Sequence, residues 1–249
     1  VRAASFADHY SQARMFFRSL EAPEQAHLAS ALVFELSKVE TVAVRERTVS
    51  HLRNIDDALA KRVADGLAMP ALPEPAPTAT PAKDMPRAPE VRVIGRTKDL
   101  LKGRCVGILF DEGSDAGLIA NLRKAAEKAG AKVKLVAPKV GGGKLTDGKL
   151  QPADGQLAGT PSVVFDAVAI VLSADAAKRL SKESAAIDFA ADAWAHLKAI
   201  AADEGAQLLL KTARVGKDNG VVEAEDAKGF VAAAATRQWA REPKVRTLA

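Results

Sequence analysis

Seven of the chain's twelve prolines fall between residues 70 and 89, mixed with alanine, threonine and glutamate. Proline fixes φ and has no amide hydrogen to donate, so this stretch can build neither a helix interior nor a central strand. It reads as an extended, polyproline-like tether over residues 70–95, with one body before it (1–69) and another after it (96–249). A ligand for an SH3 or WW domain is the sharper reading of the same prolines, but no flanking basic anchor supports it. Charge sorts along the same lines. Residues 1–69 carry nine basic and nine acidic side chains and residues 70–95 three of each, so the whole surplus of +5 belongs to residues 96–249, with 24 basic against 19 acidic.

Before the tether the apolar period is helical. Residues 19–39 read as a capped helix: Pro23 suits the first turn, Glu24 sits near the positive end of the dipole, and Leu28, Ala31, Leu32, Leu36 and Val39 form a stripe. Val33 and Phe34 fall outside that stripe, and a helix apolar on more than one side needs more than one partner. A second helix covers 42–52. Asn54 then predicts an N-cap for a third over 55–64, with Leu59 and Val63 facing inward and Gly66 stopping it. Phe16, Phe17 and Phe34 are expected to stay exposed or to find a second copy of the chain, which makes self-association through this unit an expectation.

Beyond the tether the period changes. Residues 105–110 and 133–137 are short apolar runs, 163–172 reads as a long buried strand and 206–210 as a further strand. Helices read over 116–129 (ending at Gly130), 187–202 and 229–239. Buried strands alternating with helices mean a parallel sheet covered on both faces. The expected class is α/β, a doubly wound, mostly parallel flavodoxin-like sheet preceded by a small all-α subdomain. Asp147-Gly148 and Asn219-Gly220 mark tight turns, read as hairpins at the sheet edge.

Composition excludes several classes. A surplus of +5 over so many residues is mild, and Lys124, Lys128, Lys132 and Lys134 are not interleaved with stacking aromatics, which predicts a solvated face and no nucleic-acid groove. The single cysteine, Cys105, cannot form an internal disulfide and fits a reducing compartment, here the cytoplasm. No apolar run reaches the roughly 18–20 residues of a membrane span, and Val1-Arg2-Ala3 does not open a signal peptide. The absent initiator methionine suits a processed fragment.

No catalytic, cofactor-binding or metal-ligating residue is expected. Cys105 opens the first strand and reads as a buried small hydrophobe. Asp111-Glu112-Gly113-Ser114-Asp115 follows that strand at the carboxyl edge, where open α/β sheets bind ligands, yet Ser114 or Asp115 also makes an ordinary N-cap. Three carboxylates there would repel a phosphate. Gly141-Gly142-Gly143-Lys144 lacks the P-loop pattern, since Leu145 follows the lysine, and reads as a flexible loop. His9, His27, His51 and His196 show no metal-ligand spacing. Tyr10, the only tyrosine, reads as a packed aromatic with its hydroxyl hydrogen-bonded.

The run Phe6-Ala7-Asp8-His9-Tyr10-Ser11-Gln12-Ala13-Arg14, continuing through Pro23-Glu24-Gln25 into Leu32-Val33-Phe34-Glu35-Leu36-Ser37-Lys38, resembles the helical segment after the haem-bearing barrel of large-subunit catalases. Arg237-Gln238-Trp239-Ala240-Arg241-Glu242-Pro243-Lys244 resembles the end of the same proteins. The resemblance implies a C-terminal portion: post-barrel helices, tether and flavodoxin-like domain. It implies a parent that converts hydrogen peroxide to water and oxygen as a homotetramer, with the barrel and the other subunits as partners. The family's haem tyrosinate, distal histidine and asparagine belong to the barrel, so no haem residue carries over and the chain itself is expected to be accessory, not catalytic. It would stabilise the tetramer, shape the approach to the haem, or bind exposed apolar surface as a chaperone does.

The second domain also resembles the glutamine amidotransferase-like superfamily, whose nucleophile sits on a strand-to-helix elbow. Here the expected strand 206–210 runs into Lys211-Thr212-Ala213-Arg214, with no cysteine and no base beside Thr212. A stand-alone hydrolase of that kind is the competing class, and a nucleotide or small-molecule binding domain a third.

Overall fold

The computed structural model describes residues 3–245. They form two compact units that divide between Thr97 and Lys98.

The first unit holds helices α1 (Ser11–Ser19), α2 (Ala22–Ser37), α3 (Val42–Arg53) and α4 (Asp57–Gly66). Helix α2 opens on a capping box, in which the Glu21 amide donates to the Glu24 carboxylate at 2.9 Å. Asn54 does not cap α4, contrary to the sequence reading: it closes α3. Asp56 is the N-cap and accepts from the Ala58 and Leu59 amides at 3.0 and 3.2 Å. A carboxylate outcompetes a neutral amide there because it also opposes the helix dipole. The core gathers Phe17, Leu36, Val49, Leu52, Leu59 and Val63. Phe17 is thus buried, correcting the expectation of exposure, while Phe34 stays 63% exposed with the Lys38 ammonium 3.8 Å from its ring centre.

The proline-rich segment lies along these helices. Ser11 Oγ accepts from the Lys83 amide and Ser19 Oγ from the Ala88 amide, each at 2.8 Å. The Ala76 amide donates to Ser50 O at 3.1 Å, and Ser50 Oγ donates to Glu74 O at 2.6 Å. Arg14 and Arg18 both reach Asp84, at 2.7 and 2.6 Å, and Arg92 pairs with Glu21. An extended chain without internal hydrogen bonds leaves its backbone groups free for such partners, so the segment is a strap.

The second unit runs β1 (Cys105–Leu109), α5 (Ala116–Lys128), β2 (Lys132–Ala137), β3 (Gly143–Lys144), β4 (Leu150–Gln151), β5 (Gly155–Gln156), β6 (Ala167–Ile170), α6 (Ala174–Leu180), α7 (Ser184–Ala195), β7 (Ile200–Ala202), α8 (Gln207–Thr212), β8 (Val221–Glu223), α9 (Ala227–Ala234) and α10 (Glu242–Val245). Among the described residues the main sheet has six strands in the order β5-β2-β1-β6-β7-β8, every pair parallel. Alternation along the strands sends Leu109, Val168, Ile170 and Ile200 to one face, against α6 and α7, and Ile108, Ala169, Val171 and Ala201 to the other, with α5 and α9. The sheet is doubly wound, as expected. Gly107 has no side chain because Phe165 fills the space: a Cβ there would lie 2.4 Å from the ring.

Several boundaries differ from the sequence reading. The strand expected over 163–172 is only Ala167–Ile170, after a single helical turn at Ser162–Val164 that leaves Val163 and Val164 exposed. The helix expected over 187–202 stops at Ala195; Leu197 turns the chain with φ +58°, and residues 200–202 are β7. The strand expected over 206–210 is helical from Gln207, in α8, with Ala206 as its N-cap, because a short apolar run reads alike in a strand and a buried helix. The helix expected over 229–239 ends at Ala234. Asp147-Gly148 does tip a hairpin, joining β3 to β4, but Asn219-Gly220 leads into β8, which runs parallel to β7.

Candidate functional site

At the carboxyl edge of the sheet the acidic loop after β1 and the glycine run before β3 form one mouth. The Gly113 amide donates to Lys144 O and the Lys144 amide to Glu112 Oε2, both at 2.8 Å. A Cβ on Gly143 would come within 2.8 Å of the Glu112 nitrogen, and one on Gly142 within 1.6 Å of Gln151 O. Gly142 and Gly143 serve this close approach while Gly141 has open space around it, so the expected loop holds at its start and passes at Gly143–Lys144 into a packed strand. Asp115 caps α5, accepting from the Leu118 amide at 2.9 Å. Ser114 is fully buried and donates to Val171 O at 2.7 Å.

The mouth opens on a cavity of about 440 Å³ lined by Asp111, Glu112, Lys139, Gln156, Arg179 and Glu183, among others. Asp111 is paired with Arg179 at 2.9 Å. The lining is of mixed sign and suits a small polar molecule. Behind Glu112 the Ser173 hydroxyl is committed: its Oγ donates to Glu112 O at 2.8 Å and accepts from the Ala176 amide.

The strand-to-helix turn after β7 lies at Asp203–Ala206. Asp203 is buried there, its oxygens accepting from the Leu172 amide at 3.1 and 3.2 Å and the Ala206 amide at 2.9 Å. Burial pushes its carboxyl above the usual range, against the pull of those two amides, and the neighbouring Glu225 charge adds to the rise. The turn is a joint between β6 and β7. Replacing Asp203 with Ala should cost about 2 kcal/mol, since the buried Leu172 amide loses its acceptor and the Ala206 amide keeps only the Asp203 carbonyl at 3.2 Å. The shift of the urea midpoint measures it, and Asp203→Asn, which keeps one acceptor, should cost less.

Two cations at the opposite edge are buried. Arg241 is fully enclosed: its guanidinium grips Asp218 at 2.7 and 2.9 Å, donates to Trp194 O and Lys198 O, and lies 3.8 Å from the Trp194 ring centre. Burial would raise the Asp218 carboxyl, but Arg241 and the Gly220 amide together hold it below its usual value. Lys198 Nζ donates to Ser162 O at 2.7 Å. Burial, with the Arg237 charge beside it, pulls its pKa down to about 8 against the attraction of Asp166 and Asp192. The unfolded chain, with an ordinary lysine, then binds the extra proton between pH ~8 and ~10.5, so this group's contribution to stability rises with pH across that window. Denaturant midpoints at pH 8 and 10 should show the rise, and Lys198→Met should flatten it.

The remaining candidates stand apart from one another. Cys105 is half-buried at the start of β1, less enclosed than expected. Burial pushes its thiol up; Lys134 opposes that, Asp166 adds to it, and Lys132 opposes it. Thr212 Oγ1 is spent on Leu208 O at 2.9 Å, at the end of α8. Tyr10 is buried with its hydroxyl 2.7 Å from His51 Nδ1, His9 stands edge-on to the Tyr10 ring, His27 lies on α2, and His196 Nδ1 is 2.8 Å from Asp192 O. Lys124, Lys128, Lys132 and Lys134 are exposed on α5 and β2. Among the described residues no three His, Cys, Asp or Glu are grouped to hold a metal, and no helix is long and apolar enough to cross a membrane. Sequence reasoning missed Asp203, Lys198 and Arg241. For Asp203 a signal existed: Asp203-Glu204-Gly205 ends an alanine-rich run as a strand end does.

A family profile described as catalase-related, immune-responsive, matches residues 3–67. A second, for the C-terminal domain found in long catalases, matches residues 102–237. Catalase C of Rhizobium meliloti is 45% identical over 99% of this chain and 36% of its own length. Catalase HPII of Pseudomonas aeruginosa is 37% identical over 89% of this chain and 31% of its own. Catalase-B of Dictyostelium discoideum is 31% identical over 98% and 36%. The chain spans about a third of the length of the curated relatives it matches. With both units matched in the order they occupy in the chain, it belongs to the long-catalase family and carries the C-terminal domain found in those proteins.

Proposed function

We propose that this chain is a non-catalytic accessory part of a long catalase, a protein that decomposes hydrogen peroxide to water and oxygen, and that it stabilises the assembled enzyme. The observation that carries this reading is the turn after β7. Where an amidotransferase-like scaffold would present its nucleophile stands Asp203, buried and occupied by two backbone amides. Tyr10 does not suit a haem either, since its hydroxyl is spent on His51. The partners under this proposal are the haem-bearing barrel and neighbouring subunits of such an enzyme. The exposed Phe34 and Val42 of the helical unit are apolar surface of the kind such contacts cover.

The chain alone should show no Soret band and evolve no oxygen from peroxide; stoichiometric haem uptake would overturn the non-catalytic reading. Deleting the matching third from Catalase C of Rhizobium meliloti should speed its thermal inactivation. An unchanged inactivation rate would overturn the stabilising role.

A further inference from the structure

The amino-terminal edge of the sheet holds a second cavity, of about 460 Å³, between the 217–219 turn and residues 237–244. Lys217, Arg237, Arg241 and Lys244 line it, and Asp218 is the one carboxylate in the lining. Asp218 is already consumed, by Arg241 at 2.7 and 2.9 Å and by the Gly220 amide at 2.8 Å. Among the described residues neither Lys217 nor Lys244 has a carboxylate within ion-pair distance. Arg237 makes only long contacts, at 3.7 Å to the Asp166 carboxylate, 3.5 Å to Asp166 O and 3.4 Å to His196 O. Among the described residues the lining thus carries four cations against one carboxylate, with Asp166 beside Arg237 the one further anion in reach.

We propose that this cavity binds a small, multiply charged anion of the phosphate class. A single negative charge would leave the lining unbalanced, whereas a phosphate ester or diphosphate offers several acceptor oxygens and more than one charge, and suits the fork of a guanidinium. The size falls within the range of small-molecule pockets, roughly 300–1,000 Å³. The floor is rigid, because Arg241 is locked between Asp218 and the Trp194 ring, so little ordering is needed on binding. The carboxyl-edge cavity is the wrong place for such a ligand: Asp111, Glu112 and Glu183 line it. This site is independent of any catalase role.

Calorimetric titration of the whole chain with pyrophosphate tests the proposal. Saturable one-to-one binding that weakens with added salt is expected. The double variant Lys217→Glu/Lys244→Glu, made at two exposed positions, should weaken it about ten-fold or more. Lys124→Glu/Lys128→Glu on α5 changes net charge equally and should leave it unaltered. No saturable binding in the millimolar range, or equal weakening by both double variants, would overturn the site. Adenosine diphosphate and adenosine separate a nucleotide from phosphate alone. Tighter binding of the diphosphate than of pyrophosphate assigns a base contact, equal binding assigns the phosphates only, and adenosine binding as well as its diphosphate would sink the anion reading.

Discussion

Replacing Arg241 with methionine should destabilise the α/β unit by about 3 kcal/mol, the low end of what breaking a buried ion pair costs. Methionine fills much of the space but leaves the Asp218 carboxylate with the Gly220 amide, the Lys198 carbonyl loses the Arg241 donor, and the Trp194 carbonyl keeps only backbone donors such as the Leu197 amide. The low end applies because the Asp218 side chain keeps 19% exposure and water can reach it. Asp218→Asn in the same background should recover part of the loss, since the amide oxygen still accepts from Gly220 and no charge remains to be stranded. Chemical denaturation of the single and double variants measures the coupling; a loss unchanged by the second substitution would mean that packing against Trp194, and not charge, is what Arg241 supplies.

Gly205→Val should be at least as damaging, about 3 kcal/mol or more, and should lower the yield of soluble protein. A Cβ at residue 205 would sit 1.8 Å from Leu172 O, which is backbone and cannot swing aside. The ends of β6 and β7 would have to part, and with them the bonds that Asp203 makes to Leu172 and Ala206. Gly159→Ala is the matching control. Its new Cβ meets nothing nearer than the Gln156 side chain at 3.8 Å, so its melting temperature should barely move.

How much of this was legible in the sequence follows from where the local signals were strong. Helix α5 was readable because Asp115 begins it and Gly130, at φ +90°, ends it. The sheet class was readable because β1 and β2 are short apolar runs bounded by such markers. From Ala167 to Leu210 the signals fade: the chain is rich in alanine and poor in aromatics, no proline interrupts it, and alanine fits a helix interior and a crowded sheet face equally well. Leu197 makes the turn into β7 with a positive φ that no leucine announces. Of the site, the two loops at the carboxyl edge were each visible, but their contact, through Gly113, Glu112 and Lys144, depends on a hairpin placed by the whole sheet. Lys198, Asp203 and Arg241 were illegible for a stronger reason. Their burial is set by partners as distant as 47 residues along the chain, and a lone lysine or arginine reads by default as surface.

The strap over the helical unit separates two properties that usually travel together, covalent continuity and physical attachment. Its backbone is held from both sides of Lys83: Ala76 by Ser50 before it, Ala88 by Ser19 and Val93 by Glu24 after it. A cut after Lys83 would therefore leave the piece that begins at Asp84 still held to the helices of the other, through Asp84, Ala88 and Val93. Such a nicked molecule would run as two pieces once denatured and as one while folded, so an intact elution profile is no guarantee of an intact chain.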